Sequence, residues 1–486
     1  MLLGDLAGIG NDSAMLANVG VTGFALDHRK VAPGNVFGAF VGARVNGEDY
    51  IAEAVARGAV AVVARSEAKV TGAAHIAASE PRQAFAALAA RFYAPYPDTV
   101  VAVTGTNGKT SSVEMVRQMW RMAGHRSASI GTLGVTTADD QVATGLTSPD
   151  IVTFLNNMAG MKRMGISHVA FEASSHGLDQ YRAEGVPVQA AAFTNFSRDH
   201  LDYHADMEAY FAAKMRLFDE VVADDGAAVV WTGDERSGEV IKRARARGLR
   251  VLGVGEEGET IRLVSRQSSA LGQALVLTHG GAQHKVMLPL IGAYQAANVL
   301  VAAGLALATG GDWRATLQAI GRVAPVRGRL ERAVITPAGA PVYVDYAHTP
   351  DALEAATAAL RPHVATSDGG RLIAVIGAGG DRDHGKREAM GEVAARLSDV
   401  VIVTDDNPRS EDPATIRAAV LRGARHGGAT GACDIGDRHD AIDTAIATAR
   451  SGDIVLIAGK GHEQGQIIGD RVLPFDDVSV ARECAA

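Results

Sequence analysis

The stretch from residue 99 to residue 110 constrains the fold of this 486-residue chain more than any other feature. It reads Thr-Val-Val-Ala-Val-Thr-Gly-Thr-Asn-Gly-Lys-Thr, an apolar run typical of a buried strand, followed by a glycine turn and a helix-compatible segment. Such a turn aims several backbone N–H groups and the positive end of a helix dipole at one point, where they can hold phosphate oxygens. The stretch therefore predicts an α/β domain that binds a nucleotide.

Two side chains of the turn support this interpretation. Lys109 would bring a cation to the β- and γ-phosphates, and Thr110 would offer its hydroxyl to Mg²⁺. The turn is shorter than the usual phosphate-binding loop, because only Thr106 and Asn107 separate its two glycines. The predicted nucleotide contacts are Gly105, Thr106, Asn107, Gly108, Lys109 and Thr110.

The rest of the chain alternates short Val/Ile/Ala-rich runs with longer Ala-rich stretches, a pattern typical of parallel sheets with helices on both faces. Its length suggests about three domains. A proline-rich segment at 93–97 and an arginine- and glycine-containing segment at 325–329 give predicted domains of 1–98, 99–326 and 327–486. Residues 237–284 are predicted to form an irregular, β-rich insertion in the second domain.

Composition narrows the range of partners. A formal net charge of −8 argues against a surface for nucleic acid or for an anionic membrane. The longest apolar run, near residues 299–307, is too short for a membrane span. Cys433 and Cys484 lie outside any CxxC or Cys/His cluster, so neither a disulfide framework nor structural zinc is expected. These features predict a cytoplasmic protein, and we expect a monomer.

Two further segments place charged residues at or after predicted strand ends. Glu172 closes the apolar run 168–171, at a position where open α/β sheets carry ligand-binding residues, and it is a candidate Mg²⁺ ligand. Residues 195–204 contain two Asp, two His and one Arg, which indicates either a metal or phosphate site or a solvated surface loop. Ser174 suits either a ligand contact or a helix cap.

Five segments taken together closely resemble the Mur ligase family, whose members are ATP-dependent enzymes that add amino acids to the peptidoglycan precursor. These segments are residues 104–110, 172–182, 195–204, 328–331 and 345–351. The resemblance covers essentially the whole chain. It implies a small N-terminal α/β domain for a uridine nucleotide, a central parallel-sheet domain similar to P-loop ATPases, and a C-terminal Rossmann-like α/β domain.

The resemblance also implies roles that the local pattern leaves unassigned. Lys214 taken alone is typical of a solvated helix lysine, whereas the family carbamylates the matching lysine to make an anionic Mg²⁺ ligand. The implied metal ligands are Thr110, Glu172, His200 and Lys214. The implied catalytic residues are Lys109, Glu172, His200, Lys214 and Arg329, and the further ATP contacts are Asn298, Arg329 and Asp345. The implied contacts to UDP-N-acetylmuramoyl-L-alanyl-D-glutamate are Leu26, His28, Thr147, Ser148, Ser174, Gln180 and Arg182.

One more segment indicates which amino acid is added. Residues 406–409, Asp-Asn-Pro-Arg, resemble the motif that marks family members adding meso-2,6-diaminopimelate rather than lysine. Arg409 can hold the distal carboxylate of diaminopimelate with two parallel hydrogen bonds. Taken alone, the Asn-Pro pair is also compatible with a simple turn after a strand. The implied contacts to the amino acid are Arg382, Asp406, Asn407, Pro408, Arg409, Gly459 and Glu463.

The resemblance therefore implies a defined reaction. ATP, with Mg²⁺, would phosphorylate the free γ-carboxylate of the D-glutamate, and the amine of diaminopimelate would attack the acyl phosphate. The alternatives within the superfamily are a lysine-adding ligase, a D-Ala-D-Ala-adding ligase and a folylpolyglutamate synthase. The alternative from another class is a nucleotide-binding module that forms no amide. At His28, Asn46 and Gln295 the chain departs from the residues usual in the family.

Overall fold

The structure is a computed structural model that describes residues 1–7, 18–42, 45–138, 140–142, 147–201, 203–269, 271–365, 369–381, 383–429 and 431–486. The chain forms two compact units. The first comprises Met1–Arg262 and Leu300–Thr316, and the second comprises Leu263–Val299 and Leu317–Ala486. The elements that contain the division points are strand β13 (Ile261–Ser269) and the helices Ala293–Ala308 and Trp313–Ile320.

The first unit contains two sheets. One is a four-stranded parallel sheet with the order β1 (Gly23–Ala25), β2 (Asn35–Gly38), β3 (Ala61–Ala64) and β4 (Ala74–Ala77). The other contains β5 (Thr99–Thr104), β6 (Ser127–Gly131), β7 (Gly134–Thr136), β8 (Gln141–Val142), β9 (His168–Glu172), β10 (Val188–Phe193), β11 (Val222–Trp231) and β12 (Arg250–Gly255). Its order in this unit is β12-β11-β10-β5-β9-β6-β7-β8, and all of these pairs are parallel except β6–β7 and β7–β8, which are antiparallel. The carboxyl ends of β10, β5, β9 and β6 are therefore neighbours.

The helices of the first unit cover these sheets. They are Leu3–Ala7, Ile51–Ala56, Pro81–Tyr93, Lys109–Met122, Ile151–Arg163, Ser175–Asp179, Met207–Arg216 and Ser237–Ala246, with 3-10 turns at His28–Lys30 and Gly47–Tyr50 and a π turn at Leu217–Val221.

The second unit is built around one mixed sheet. Its order is β16 (Glu331–Ile335), β17 (Pro341–Asp345), β21 (Ile454–Ala458), β18 (Leu372–Ile376), β19 (Val400–Val403) and β20 (Cys433–Asp434), and only β16 runs antiparallel. Two antiparallel hairpins are β14 (Gly272–His279) with β15 (Ala282–Leu288), and β22 (Gly465–Ile468) with β23 (Arg471–Pro474). The helices are Pro350–Leu360, Lys386–Leu397, Pro413–His426, Arg438–Thr448 and Asp477–Cys484, with a 3-10 turn at Arg361–His363.

The sequence of the central strand β18 is continuously apolar because both of its faces are buried. Leu372, Ala374 and Ile376 pack in one hydrophobic cluster, while Ile373 and Val375 pack in another on the opposite face. A parallel strand that is covered on both faces needs apolar residues at every position. The α/β class and the parallel sheets predicted from the sequence are confirmed.

The prediction for residues 237–284 is wrong in its first part. That stretch begins with the helix Ser237–Ala246, and β12 then extends the parallel sheet. The helix buries Val240 and Ala244, four residues apart, and carries its arginines on other positions. The dense charges of the exposed face obscured this helical period in the sequence. Among the described residues, no helix has the length and apolar character needed to cross a bilayer.

Candidate active site

The glycine turn joins β5 to the helix Lys109–Met122. Gly108 caps that helix at φ 84°, and Gly105 has φ 145°, so both lie where side chains are disfavoured. A Cβ built on Gly105 would overlap the hydroxyl oxygen of Thr194. The turn therefore needs glycine at these positions both for its own shape and for its close approach to the end of β10.

Residues just after β10 hold the turn from outside. Thr194 Oγ1 donates to the Asn107 carbonyl at 2.6 Å, and the Asn107 N–H donates to Asn195 Oδ1 at 2.8 Å. The Ser197 N–H donates to Thr106 Oγ1 at 3.0 Å. These bonds hold the turn in its shape and bring the start of the 195–204 loop to it. Thr194 was missed by sequence reasoning, because nothing in its local sequence marks this contact.

Two lysine amines meet at the turn. Lys109 Nζ donates to the carbonyls of Gly105 and Thr106 at 3.0 and 2.7 Å, and Lys214 Nζ donates to the same Gly105 carbonyl at 2.7 Å. Lys214 is 1% exposed, with its amine 4.4 Å from the centre of the Tyr210 ring. Burial, together with the nearby Lys109 charge, lowers the pKa of Lys214 well below its usual value. The interpretation of Lys214 as a solvated helix lysine is therefore wrong.

Glu172 lies at the carboxyl end of β9 and is 3% exposed. Its Oε1 accepts from the Thr132 N–H at 2.7 Å, and its Oε2 accepts from Thr132 Oγ1 at 3.3 Å. Thr132 Oγ1 also lies 3.1 Å from Thr147 Oγ1, which connects the carboxylate to a predicted substrate contact. A Cβ on Gly131 would overlap Glu172 Oε1. Sequence reasoning missed Gly131 and Thr132, because the contact with Glu172 joins segments 40 residues apart in the chain.

The close approach of Gly131 to Glu172 gives a testable result. Gly131→Ala is expected to displace the carboxylate and lower the rate of ADP release about 10- to 100-fold, because supporting contacts around a metal ligand typically have effects of that size. The matched control is Gly238→Ala, since a Cβ there meets nothing within 4 Å. Full activity of Gly131→Ala, with an unchanged dependence on Mg²⁺ concentration, would contradict this role for Glu172.

A second polar network lies beside Glu172. Ser148 Oγ lies 2.9 Å from Ser174 Oγ, which in turn accepts from the Gly177 N–H at 3.0 Å. Arg182 donates to the Ser148 carbonyl at 3.1 Å and to Gln180 Oε1 at 2.6 Å. The structure thus brings four predicted substrate residues into one network. Ser174 is a helix cap, and its contact with substrate stays a prediction.

The loop 195–204 places several rings together. The His200 ring lies edge-on to His176, with 4.8 Å between centres, and 5.8 Å from Tyr210. Burial lowers the pKa of His200, while the Asp199 carboxylate acts in the opposite direction. A lower pKa favours neutral imidazole, which is the form that binds metal ions.

The donor types near the turn suit magnesium. Thr110 and Glu172 offer hydroxyl and carboxylate oxygens, which Mg²⁺ prefers. In the described part of the chain, no group of three or more His, Cys, Asp and Glu side chains is arranged to hold a metal ion. The metal ligands predicted from the sequence, Thr110, Glu172, His200 and Lys214, stay a prediction.

The predicted uridine contacts lie after β1 in the first unit. Leu26 is half-buried, and His28 opens the 3-10 turn His28–Lys30. The His28 ring stacks on Tyr50 with 4.4 Å between centres, and its Nε2 lies 3.3 Å from a Glu53 carboxylate oxygen. The histidine that departs from the family pattern is therefore held by two neighbours.

The second unit carries the remaining predicted ATP residues. Gln295 Nε2 donates to the Arg329 carbonyl at 2.9 Å, and Asn298 Nδ2 lies 3.4 Å from Gln295 Oε1. The Arg329 guanidinium lies over the Tyr346 ring at 4.8 Å. Gln295 therefore links Asn298 to the backbone of Arg329, and this link was missed in the sequence.

Asp345 ends β17 and is held by the backbone. Its Oδ2 accepts from the Leu330 N–H at 2.7 Å, and its Oδ1 accepts from the Ala347 N–H at 2.9 Å. Burial raises the pKa of Asp345 to about 6, although Arg329 and both hydrogen bonds act in the opposite direction.

This pKa predicts a pH dependence of stability. Because the pKa of Asp345 rises from 3.8 to about 6 on folding, the folded chain binds more protons than the unfolded chain between these values. The free energy of unfolding should therefore fall as pH rises from about 4 to about 6, by up to ~3 kcal/mol. Asp345→Asn should remove this slope in urea titrations across that range. Parallel pH profiles for Asp345→Asn and the unchanged protein would contradict the assignment.

Four of the residues predicted to contact the amino-acid substrate lie close together in the second unit. Asn407 Nδ2 donates to Glu463 Oε2 at 2.8 Å, and the Asn407 carbonyl accepts from the Gly380 N–H at 2.9 Å. Gly459 lies against Asp406, since a Cβ on it would come within 2.5 Å of Asp406 Oδ2. Asp406, Asn407, Gly459 and Glu463 are therefore brought together, whereas Arg382 lies outside the described residues.

Arg409 follows Pro408 and adopts a positive φ of 52°, which is uncommon for a residue with a side chain. The hairpin β22–β23 holds this conformation: the Arg409 N–H donates to the Ile467 carbonyl at 3.0 Å, and its own carbonyl accepts from Gly469 at 2.7 Å. The guanidinium donates to the Gly380 carbonyl at 2.8 Å. Arg409 is therefore held beside Gly380, and its contact with the amino acid stays a prediction.

Three models of known families match the chain. The model "Mur ligase family, catalytic domain" matches residues 20–93, "Mur ligase middle domain" matches 103–306, and "Mur ligase, glutamate ligase domain" matches 328–461. A relative from Zymomonas mobilis is 60% identical over 467 residues, which are 95% of this chain and 94% of the relative. The chain belongs to the Mur ligase family. The family prediction made from the sequence is confirmed.

Other Mur ligases agree with this assignment. The Zymomonas relative is named UDP-N-acetylmuramoyl-L-alanyl-D-glutamate--2,6-diaminopimelate ligase, as is a relative from Bradyrhizobium diazoefficiens that is 50% identical over 98% of this chain and 97% of its own. A solved structure of a ligase with the same name has a TM-score of 0.76 and 32% identity, and the match covers 100% of this chain and 98% of that one.

Proposed function

We propose that this Mur ligase joins meso-2,6-diaminopimelate to the D-glutamate γ-carboxylate of UDP-N-acetylmuramoyl-L-alanyl-D-glutamate, with conversion of ATP to ADP and phosphate. The observation that carries the proposal is the group formed by Asp406, Asn407, Arg409 and Glu463. The two most similar relatives described above carry the name of this activity.

The charges of this group suit the distal end of diaminopimelate. That end carries both an ammonium and a carboxylate, whereas the side chain of lysine ends in an ammonium alone. Asp406 and Glu463 supply negative charge for the ammonium, and Arg409 supplies a planar, charged donor for the carboxylate. A lysine would leave the Arg409 guanidinium without its anionic partner, which disfavours lysine as the substrate.

The phosphoryl-transfer step uses the glycine turn of the first unit. An oxygen of the γ-carboxylate attacks the γ-phosphorus of ATP, the bond to the bridging oxygen breaks, and ADP leaves. Lys109 and the N–H groups of the turn offset the negative charge that spreads over the phosphoryl oxygens. The amine of diaminopimelate then attacks the acyl carbon, phosphate leaves, and a proton is lost from nitrogen. Arg329, Asn298 and Asp345 are the proposed ATP contacts of the second unit.

Magnesium fits the residues near the turn. Thr110, Glu172, His200 and carbamylated Lys214 would hold it, and they offer mainly oxygen donors. When bound, the ion neutralises phosphate charge. Glu172 is kept in place for this task by Thr132, and the Lys214 amine is held at the Gly105 carbonyl.

The remaining part of the precursor would bind elsewhere in the first unit. The proposed contacts are Leu26, His28, Thr147, Ser148, Ser174, Gln180 and Arg182. Arg182 carries a charged fork that suits a carboxylate or a phosphate. The proposed division into domains 1–98, 99–326 and 327–486 rests on the proline-rich segment at 93–97 and on the segment at 325–329. The low cysteine content supports a cytoplasmic enzyme.

The proposal is tested by omission of each substrate. ADP release should require ATP, the UDP-linked dipeptide and meso-diaminopimelate together, and the product should contain the intact tripeptide by mass spectrometry. If ADP release were the same without the amino acid, the chain would be a nucleotide hydrolase or binding module and the ligase proposal would be wrong. Release that depended on D-Ala-D-Ala or on a folate would instead favour another branch of the superfamily.

A further inference from the structure

Lys460 is a fully buried cation, with 0% of its side chain exposed. It lies among the proposed diaminopimelate contacts Asp406, Asn407, Gly459 and Glu463, which are called the amino-acid group. Its Nζ lies 3.0 Å from Asn407 Oδ1, 3.4 Å from Glu463 Oε2 and 3.7 Å from Asp406 Oδ1. An ammonium has three hydrogens to donate. All three near partners belong to the proposed diaminopimelate contacts, so Lys460 is buried behind the binding residues rather than facing solvent.

Lys460 also helps to orient the Asn407 amide. Asn407 Oδ1 accepts from Lys460 Nζ and, at 2.9 Å, from the Ile467 N–H. Two donors on one side require the oxygen there, so the amide nitrogen points the other way. One of its hydrogens goes to Glu463 Oε2, and the second remains to be donated to another acceptor. A substrate carboxylate is such an acceptor.

The charge of Lys460 balances the group. Asp406 and Glu463 are two carboxylates with one buried ammonium between them, which leaves a formal charge of −1 to meet one substrate ammonium. Without Lys460, the two carboxylates would lose the ammonium that lies near both of them, and each would be driven toward protonation or toward solvent. The amide of Asn407 would also lose one of the two donors that orient it.

We propose that Lys460 is a positioning residue that sets selectivity for a diamino acid with a distal carboxylate over one without it. It acts through Asn407 and Glu463, which it helps to hold in place. This inference rests on the proposed function, since it assigns the group to the distal end of diaminopimelate.

The test is Lys460→Met, which keeps the length of the side chain and removes the charge. The KM for meso-diaminopimelate should rise about tenfold or more, because loss of one partner of a buried charged pair is costly. The KM values for ATP and for the UDP-linked dipeptide should stay nearly unchanged. The ratio of kcat/KM for meso-diaminopimelate to that for L-lysine should also fall by about tenfold, because lysine has no carboxylate for Asn407 to meet.

The matched control is Arg371→Met, which breaks an ion pair with the buried Asp453 at the start of β18, at the opposite end of the strands from the amino-acid group. It should leave the selectivity ratio unchanged. If Lys460→Met does not fold, Lys460→Gln, which keeps a donor for Asn407, replaces it, with a smaller loss of the same ratio expected. An unchanged KM for diaminopimelate, or equal losses with diaminopimelate and lysine, would overturn the inference. Failure of the unchanged enzyme to require diaminopimelate would instead refute the proposed function.

Discussion

Replacement of Lys109 by methionine is expected to lower the rate of ATP turnover by about 10²- to 10³-fold, because a preorganised charge aimed at the transferred phosphoryl group has an effect of that size. The Lys109 amine is already at the glycine turn, on the carbonyls of Gly105 and Thr106. It is therefore placed to meet the phosphates without a large rearrangement. The measurement is ADP release under saturating substrates, with kcat and KM determined separately.

The control for Lys109 is Lys162→Met. Lys162 lies in the last turn of the helix Ile151–Arg163 and pairs with the exposed Asp98, away from the glycine turn. An exposed ion pair contributes little to stability, so this variant should keep nearly full activity. If both variants lost activity equally, or if Lys109→Met kept its kcat, Lys109 would not be the residue that offsets phosphoryl charge.

Replacement of Lys214 by alanine is expected to lower activity by about 10- to 100-fold or more, with partial recovery on addition of formate or acetate. The buried amine has a lowered pKa, so its neutral, nucleophilic form is favoured. That form can attack the carbon of CO₂, with formation of an N–C bond and loss of one proton from nitrogen. The resulting carbamate would be an anion at the position of the buried Lys214 amine. In Lys214→Ala, an added short carboxylate can supply the same negative charge.

Two measurements separate this role from a structural one. Lys214→Met should unfold at the same or a higher temperature than the unchanged protein, because a buried polar or charged side chain is costly and a methionine of similar size is not. Mass spectrometry under gentle conditions should find one added carboxyl group on the unchanged protein and none on Lys214→Met. Full activity of Lys214→Ala without any added carboxylate would rule out the carbamate.

The parts of the site that the sequence predicts well are those with a local signal. The glycine turn is predicted because strand, turn and helix follow one another within twelve residues, and the structure has this order at β5 and the helix Lys109–Met122. Glu172 is predicted to lie at a strand end, and it does so on β9. In both cases short-range chemistry determines where the residue lies.

The residues that were missed depend on contacts between distant segments. Thr194 reaches Asn107 and Thr132 reaches Glu172, and neither contact has a signal within its own stretch of sequence. The burial of Lys214 is an intermediate case. Tyr210 and Phe211 are buried on the same helix face, four and three residues before Lys214, respectively. That spacing could have indicated a buried lysine, but its chemistry needs the glycine turn beside it.

The most direct test of the proposed preference for meso-diaminopimelate is a panel of amino acids assayed with ATP and the UDP-linked dipeptide. We expect the fastest ADP release with meso-diaminopimelate, and slow release with L-lysine, because diaminopimelate offers a distal carboxylate to Arg409 and Asn407 and lysine has none at that end. The product should carry diaminopimelate on the D-glutamate residue. Faster release with lysine than with meso-diaminopimelate would contradict the proposed selectivity and the role assigned to residues 406–409.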